Sequence, residues 1–432
     1  MILRDAVHGL VSFESPAERI VPRLMDTAEA QRLRRIRQLG LTSLAFPGAE
    51  HTRFAHAIGA AHIMTLLLAR LRSIDHTLPT SQRITEDAAR DALAAAFVHD
   101  LGHGPYSHLF EDVFESIPHH EVWTERILLD DSTEIHRALT AVDRAMPARV
   151  AALVRGEHEL RYLASSVSGA FDVDRCDYLL RDAHATGVRY GLFDLDFLLR
   201  SMRFSPSSRG APSLAIDGAK GLPAIEAFVL ARVFMFQQVY LHKATRAAEW
   251  MVRAILARAA QLIRDGSPPP QVPQAIVDGA RGDSVALGDY LALDDALLSA
   301  TFHTWEGGRD PILRDLCARV RNRHLFKTLE LFGDQASAEG GRAALELARE
   351  IARSRGVDPD WYVGLDATGQ SPFDSQTDPL LVVYSKGPAR ELTDVSFLLA
   401  RLANQTISRT RLIFVAELRE EITRALSSGA PP

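Results

Sequence analysis

The sequence predicts a mainly α-helical fold with a smaller C-terminal α+β lobe. Three observations carry that expectation. Apolar residues recur at helical spacing through most of the first 263 positions. The tract Ser267–Pro273 (SPPPQVP) then breaks the pattern, because three consecutive prolines cannot continue a helix. Beyond it, short β-branched runs at 379–385 (PLLVVYS) and 411–415 (RLIFV) each adjoin a helical pattern. We therefore expect a helical core over 1–263, a Pro-rich linker or loop over 264–274, and a helical and α+β lobe over 275–432.

The elements follow in order. Weak alternation from Ile2 to Phe13 around His8-Gly9 suggests a short hairpin. Thr27 caps a helix over AEAQRLRRIRQLG, in which Leu33, Ile36 and Leu39 share a side and Gly40 ends the run. Further helices are expected at His56–Ile74, Thr85–Leu101, Glu121–Leu129, Thr133–Asp143 and Val173–Ala183. A long one is expected over Ile225–Ile263, and two or three more follow the prolines, ending in the basic run Arg319–Lys327.

Composition excludes several function classes. Apolar residues are 47 % and charged residues 24 % of 432, as in soluble globular chains. The net charge of −6 offers no general basic field for nucleic acid or an anionic membrane. Two cysteines, Cys176 and Cys317, exclude a disulfide framework and fit a reducing compartment. The start, MILRDAVHGL, does not read as a signal peptide, so a cytoplasmic location is expected.

Histidine is concentrated: five of the 16 fall between His99 and His120, a density that suits metal binding or acid–base work. His99 and Asp100 stand together at a helix end, where both can turn toward one ion. Partners must come from other elements, and His56 and Asp174 each stand near a helix start. Two imidazoles and two carboxylates suit Mn, Fe, Ni or Zn better than Ca. On a second helix, Asp174, Tyr178 and Asp182 follow one another at four-residue spacing and share a face. Arg232, Phe236 and Tyr240 repeat that spacing later.

Taken in order, HTRFAHAIG (51–59), FVHDLGHGPYSH (97–108) and FDVDRCDYLLRD (171–182) resemble the HD-domain phosphohydrolases. More closely, they are similar to the deoxynucleoside triphosphate (dNTP) triphosphohydrolases related to the sterile-alpha-motif and HD-domain enzyme of animals. DAVHG (5–9) and RLRRIRQLG (32–40) before these motifs, and VYLHKATR (239–246) and RNRHLFK (321–327) after them, extend the resemblance over nearly the whole chain. No sterile-alpha-motif domain is expected ahead of it.

The resemblance implies an HD-domain helical core and one divalent metal ion per subunit (Mn, Fe, Ni, Zn or Mg) held by His56, His99, Asp100 and Asp174. It implies release of intact triphosphate by attack at the α-phosphorus of a dNTP. His108 and His120 would supply the proton to the leaving oxygen, with His103 at the phosphates and Glu111 where the family has an aspartate. Gln38 and Leu39 would lie beside the base, and Arg53, Arg175 and Arg232 at the phosphates. Tyr178, Asp182 and Tyr240 would hold the sugar, Tyr178 excluding a 2′-hydroxyl by contact. Phe236 replaces a polar family residue, and His119 reads as a surface residue. Asp26, Gln31, Arg34, Arg323 and Lys327 match positions that read a guanine nucleotide effector (GTP or dGTP) at subunit contacts, so a homo-oligomer, dimer or tetramer, is implied. Two other classes stay open: another HD-type phosphohydrolase, and a nucleotide-sensing or nucleic-acid-binding protein with a structural metal.

Overall fold

The computed structural model describes residues 1–114, 116–169, 171–206, 212–371, 373 and 380–427. It is mainly helical. At its centre runs the 22-residue helix Arg53–Ile74, begun by Thr52, whose side chain accepts the Ala55 N–H. Phe54, Ala57, Ile58, Ala61, Met64, Leu67, Leu68 and Leu71 are all buried, so this helix is apolar nearly all round, as a core helix is. The small residues Ala57, Gly59, Ala60 and Ala61 let two neighbours close on it: Glu86–Val98, capped by Thr85, and Val173–Thr186, capped by Asp172. These caps leave His99 just beyond one helix end and Asp174 in the first turn of the other.

Two helices, 53–77 and 222–240, are long and apolar enough by composition to cross a membrane. The first is 67 % inside the fold over its apolar window, which marks a core helix.

Nine strands are described: β1 (Ile2–Asp5), β2 (Gly9–Ser12), β3 (Met202–Pro206), β4 (Pro212–Asp217), β5 (Lys327–Leu331), β6 (Val363–Gln370), β7 (Leu381–Val383), β8 (Arg390–Glu391) and β9 (Ile407–Phe414). β1 and β2 form the expected hairpin, pairing Asp5 with Gly9. A second sheet has the order β3-β4-β7-β8 and a third the order β5-β9-β6. Thus β7, far along the chain, pairs in parallel with β4, setting Ile216 beside Val382. The helix Lys243–Arg264 packs on Gln274–Arg281 and Pro311–Arg321, and one apolar cluster runs from Ala247 through Leu316 to Phe414. The expected run 379–385 lies within the described residues only from Leu380 onward.

Several expectations change. The helix begun by Thr27 ends at Arg32, followed by one tight turn over Leu33–Arg35. Ile36 is extended because its carbonyl receives the Arg53 N–H at 3.0 Å and the Gln38 N–H reaches His51 O at 3.0 Å. Main-chain pairing to the 51–53 segment outweighs the helical periodicity there, so Gln38 and Leu39 stand on an irregular segment. The long helix expected over 225–263 is two: Leu222–Met235 continues into a π turn at Phe236–Tyr240, and Lys243–Arg264 starts afresh. The break falls at His242, whose imidazole accepts the Ala244 N–H and caps the second helix. The sheet pair β3–β4 and the helices Met146–Val154 and Arg161–Val167 lie where no regular element is expected from the periodicity.

Candidate metal centre and substrate cleft

Three ligand atoms from three helix ends converge. His56 Nε2 lies 2.9 Å from Asp174 Oδ1 and 3.3 Å from His99 Nε2, and His99 Nε2 lies 3.4 Å from Asp174 Oδ1. Such a group can hold a metal ion. Asp100 adjoins it: Oδ1 is 3.4 Å from His99 Nε2 and Oδ2 is 3.9 Å from His56 Nε2. Its carboxylate is also gripped by Arg53 and lies 3.2 Å from His103 Nε2.

The donor set passes a chemical test for a cation. His99 Nδ1–H points to the Ala96 carbonyl at 3.0 Å, and His56 Nδ1–H to Asp177 Oδ2 at 2.8 Å. Both Nδ1 atoms are thus occupied, which turns both Nε2 atoms toward the shared centre, as in carboxylate–histidine–metal arrangements. Burial opposes the charged imidazole of His56, but its hydrogen bonds to the Asp174 and Asp177 carboxylates outweigh it and hold its pKa up at about 10. Burial likewise opposes the Asp174 carboxylate, yet His56 and His99 keep its pKa below the usual range. Four acidic and basic groups packed this closely balance only as a set.

Asp177 is the hub beneath the ligands, and its carboxylate is fully buried. Besides His56 it receives His8 Nε2 at 2.6 Å and Arg181 through Nε at 2.8 Å and Nη2 at 2.9 Å. Arg181 in turn reaches Asp5 Oδ2 at 2.8 Å. The hairpin motif Asp5–Gly9 therefore braces the candidate ligand His56 from below. No role was expected for Asp177 or Arg181; their signal is the i, i+3 and i+7 spacing from Asp174 on one helix.

On the other side, His103 and His120 stack at 3.8 Å. Glu111 receives the His120 main-chain N–H at 2.6 Å and stands 3.2 Å from His120 Nδ1. Burial and the nearby Arg53 charge hold the His103 pKa well below its ordinary value. The side chain of His108 lies outside the described residues, and His119 is exposed.

Tyr178, Asp182 and Tyr240 come together. Tyr240 OH donates to Asp182 Oδ2 at 2.8 Å, His51 Nε2 sits 2.8 Å from Asp182 Oδ1, and the two tyrosine rings meet edge-on at 6.3 Å. His51 is a third residue, after Asp177 and Arg181, to which the sequence assigns no role. The π turn carries Phe236 against Tyr240 and beneath the Arg232 guanidinium. Arg175 is turned to Asp172, the cap of its own helix. Among the described residues, Gln38 Oε1, His51 Nδ1, Arg53 Nε and Arg232 Nε are buried with no hydrogen-bond partner, a polar demand a bound ligand would meet.

The five expected effector residues fall in two groups. Gln31 Nε2 donates to Met25 O, beside the exposed Asp26, and receives Arg34 Nε on its Oε1, while Arg34 lies over the Phe54 ring. Arg323 and Lys327 line a separate groove of about 660 Å³ with Arg319 and His324.

Known proteins resemble this arrangement along its length. The HD domain family model matches residues 53–182. A Bacillus subtilis protein, YwfO, is 33 % identical over 424 residues, covering 96 % of this chain and 92 % of its own. The Dictyostelium discoideum homologue of the deoxynucleoside triphosphate triphosphohydrolase SAMHD1 is 28 % identical over 76 % of this chain and 60 % of its own length. A Bacteroides thetaiotaomicron phosphohydrolase crystal structure superposes with a TM-score of 0.76 at 26 % identity, covering 96 % of this chain and 99 % of its own. With its clustered His and Asp side chains, their bracing carboxylate and its relatives in agreement, this chain belongs to the HD-domain family, related to YwfO over nearly all of both chains and homologous to the SAMHD1 triphosphohydrolases.

Proposed function

We propose that this protein hydrolyses dNTPs to the deoxynucleoside and inorganic triphosphate, with one divalent metal ion per subunit. The broader activity, metal-dependent nucleotide hydrolysis, follows from the HD domain and the SAMHD1 homologues. The observation that carries the finer reading is the convergence of His56 and His99 with Asp174, on the helix that also brings Tyr178 and Asp182 against Tyr240.

His56, His99 and Asp174 would hold the ion, with Asp100 beside them. When bound, such an ion supplies a Lewis acid that polarises a phosphoryl oxygen and acidifies water. The chain's own residues do the rest. Arg53, fixed by Asp100 and by Ser107 Oγ at 2.8 Å, presents positive charge to the phosphates, joined by Arg232, Arg175 and His103. Glu111 fixes the tautomer of His120, which with His108 delivers the proton to the leaving 5′-oxygen. Asp182 and Tyr240 bind the 3′ side of the sugar, and Tyr178 packs where a 2′-hydroxyl would project. Gln38, which both donates and accepts, and Leu39 lie at the base.

The test is incubation of metal-reconstituted protein with four dNTPs and four NTPs, the products resolved by chromatography. Deoxynucleoside plus triphosphate is the expected result. Orthophosphate with a nucleoside diphosphate, or equal turnover of dGTP and GTP, would overturn it.

We also propose that Asp26, Gln31 and Arg34, with Arg323 and Lys327 at the effector phosphates, take GTP or dGTP as an activator at subunit contacts of a cytoplasmic dimer or tetramer. The dense arginines of Arg32–Arg37 in a chain of net charge −6 support this. Initial rates on one dNTP should rise on adding GTP; no change at saturating GTP rejects activation.

A further inference from the structure

Two adjacent carboxylates at the start of the helix Asp295–Trp305 do different work. Asp294 caps the helix, accepting the Leu297 N–H at 2.8 Å, and holds Arg35 at 2.5 Å. Asp295 takes no part in that cap. It is 5 % exposed and reaches outside its own element. Its Oδ2 accepts the main-chain N–H of Arg37 at 2.9 Å, and its Oδ1 accepts that of Tyr106 at 2.8 Å.

These two N–H groups belong to two segments that the proposed function makes walls of the substrate site, 37–39 at the base and 106–108 at the leaving group. Arg37 immediately precedes Gln38 and Leu39, the segment assigned to the base. Tyr106 immediately precedes Ser107 and His108, in the histidine loop. Both Tyr106 and Ser107 have positive φ, 54° and 62°, which non-glycine residues keep only where their surroundings fix it. The walls are tied a second time by Ser107 Oγ, which donates to Gln38 O at 3.2 Å and receives Arg53.

We infer that Asp295 is a positioning residue, one buried carboxylate that sets the separation between the base-side segment 37–39 and the histidine loop 106–108. Only a carboxylate offers two acceptor oxygens to two opposed N–H donors; an amide would turn an NH2 toward one of them. The kinetic consequence rests on the dNTP hydrolase reading, because it is there that both walls act on one substrate.

The experiment compares Asp295→Asn with Asp294→Ala in the full-length protein, by hydrogen exchange and by kinetics. In Asp295→Asn, exchange should quicken together in peptides covering 36–39 and 105–109, with bound Mn²⁺ unchanged. The kcat/KM should fall about tenfold or more, since small misplacements of reacting groups cost that much, and the ratio of rates among the four dNTPs should shift. Asp294→Ala, which removes a cap and an ion pair, should leave exchange in both peptides and the dNTP ratio within twofold. Unchanged exchange in Asp295→Asn, a change in only one wall, or the same pattern in Asp294→Ala overturns the inference. If the wild-type protein hydrolyses no dNTP, the functional reading fails, and the exchange data alone still decide the role of Asp295.

Discussion

Gly59 and Asp177 approach so closely that a methyl group on Gly59 would lie 1.9 Å from Asp177 Oδ1. The missing side chain is what lets the helix Arg53–Ile74 carry His56 down onto the carboxylate that orients it. Gly59→Ala must push Asp177 away or separate the helices. We expect Mn²⁺ affinity to drop about 10–100-fold, as for lost partners of metal ligands, with a lower Tm. Titration calorimetry and a thermal melt check this; wild-type affinity in the variant would mean that Asp177 does not orient the ligand.

Removing the ion or a donor should stop the reaction without unfolding the chain. Treatment with a chelator should abolish dNTP hydrolysis, and added Mn²⁺ should restore it. Asp174→Ala should bind metal weakly and show no turnover at any metal concentration tried. Its Asp174 is partly exposed, so circular dichroism should remain that of the wild type. Full activity in Asp174→Ala would remove the proposed centre.

Sugar selection can be tested at Tyr178. Its ring is held edge-on to Tyr240, which is itself tied to Asp182. Tyr178→Ala opens that wall, so the preference for dGTP over GTP should shrink by about 10–100-fold, the scale of a shape-based pocket discrimination. The ratio of the two kcat/KM values is the readout, and an unchanged ratio would place the selection elsewhere.

A fourth prediction concerns stability. Arg246 grips Asp366 through Nη2 to Oδ1 at 2.5 Å and Nε to Oδ2 at 3.2 Å, tying the helix Lys243–Arg264 to β6. Burial opposes the Asp366 carboxylate, but Arg246 outweighs it and holds the pKa below the ordinary 3.8. A lowered folded pKa means stabilisation that is complete above the unfolded pKa and lost as pH falls through the folded one. Asp366→Asn should cost about 3 kcal/mol at pH 7, the scale for breaking a buried pair. The gap to wild type should narrow below pH 3.8 in urea unfolding; a gap independent of pH would mean that charge is not its source.

Local signals were legible and distant ones were not. Thr27, Thr52, Thr85 and Asp172 begin helices because each side chain caps its own next turn, a matter settled within three residues. The convergence of His56, His99 and Asp174 was legible as residue chemistry at helix ends. The helix from Thr27 was misjudged past Arg32, because the hydrogen bonds that straighten Ile36–Gln38 come from another segment. Tyr240 was placed on an unbroken helix, since a π turn leaves no mark in apolar periodicity. Asp177 shows in the sequence only through Arg181, four residues on; His56 and His8, which give it its role, lie 121 and 169 residues away.

The long spans of these ties order events during synthesis. His8 and Asp177 are 169 residues apart, and Tyr106 and Asp295 are 189 apart. A chain emerging from the ribosome exposes its first hairpin long before Asp177 exists, and its histidine loop long before Asp295. Contacts this remote form late, because the intervening loop must close first. The donors for the ion and the carboxylate that aims His56 are all made by residue 181, yet the tie between segments 37–39 and 106–108 waits until Asp295 has been translated.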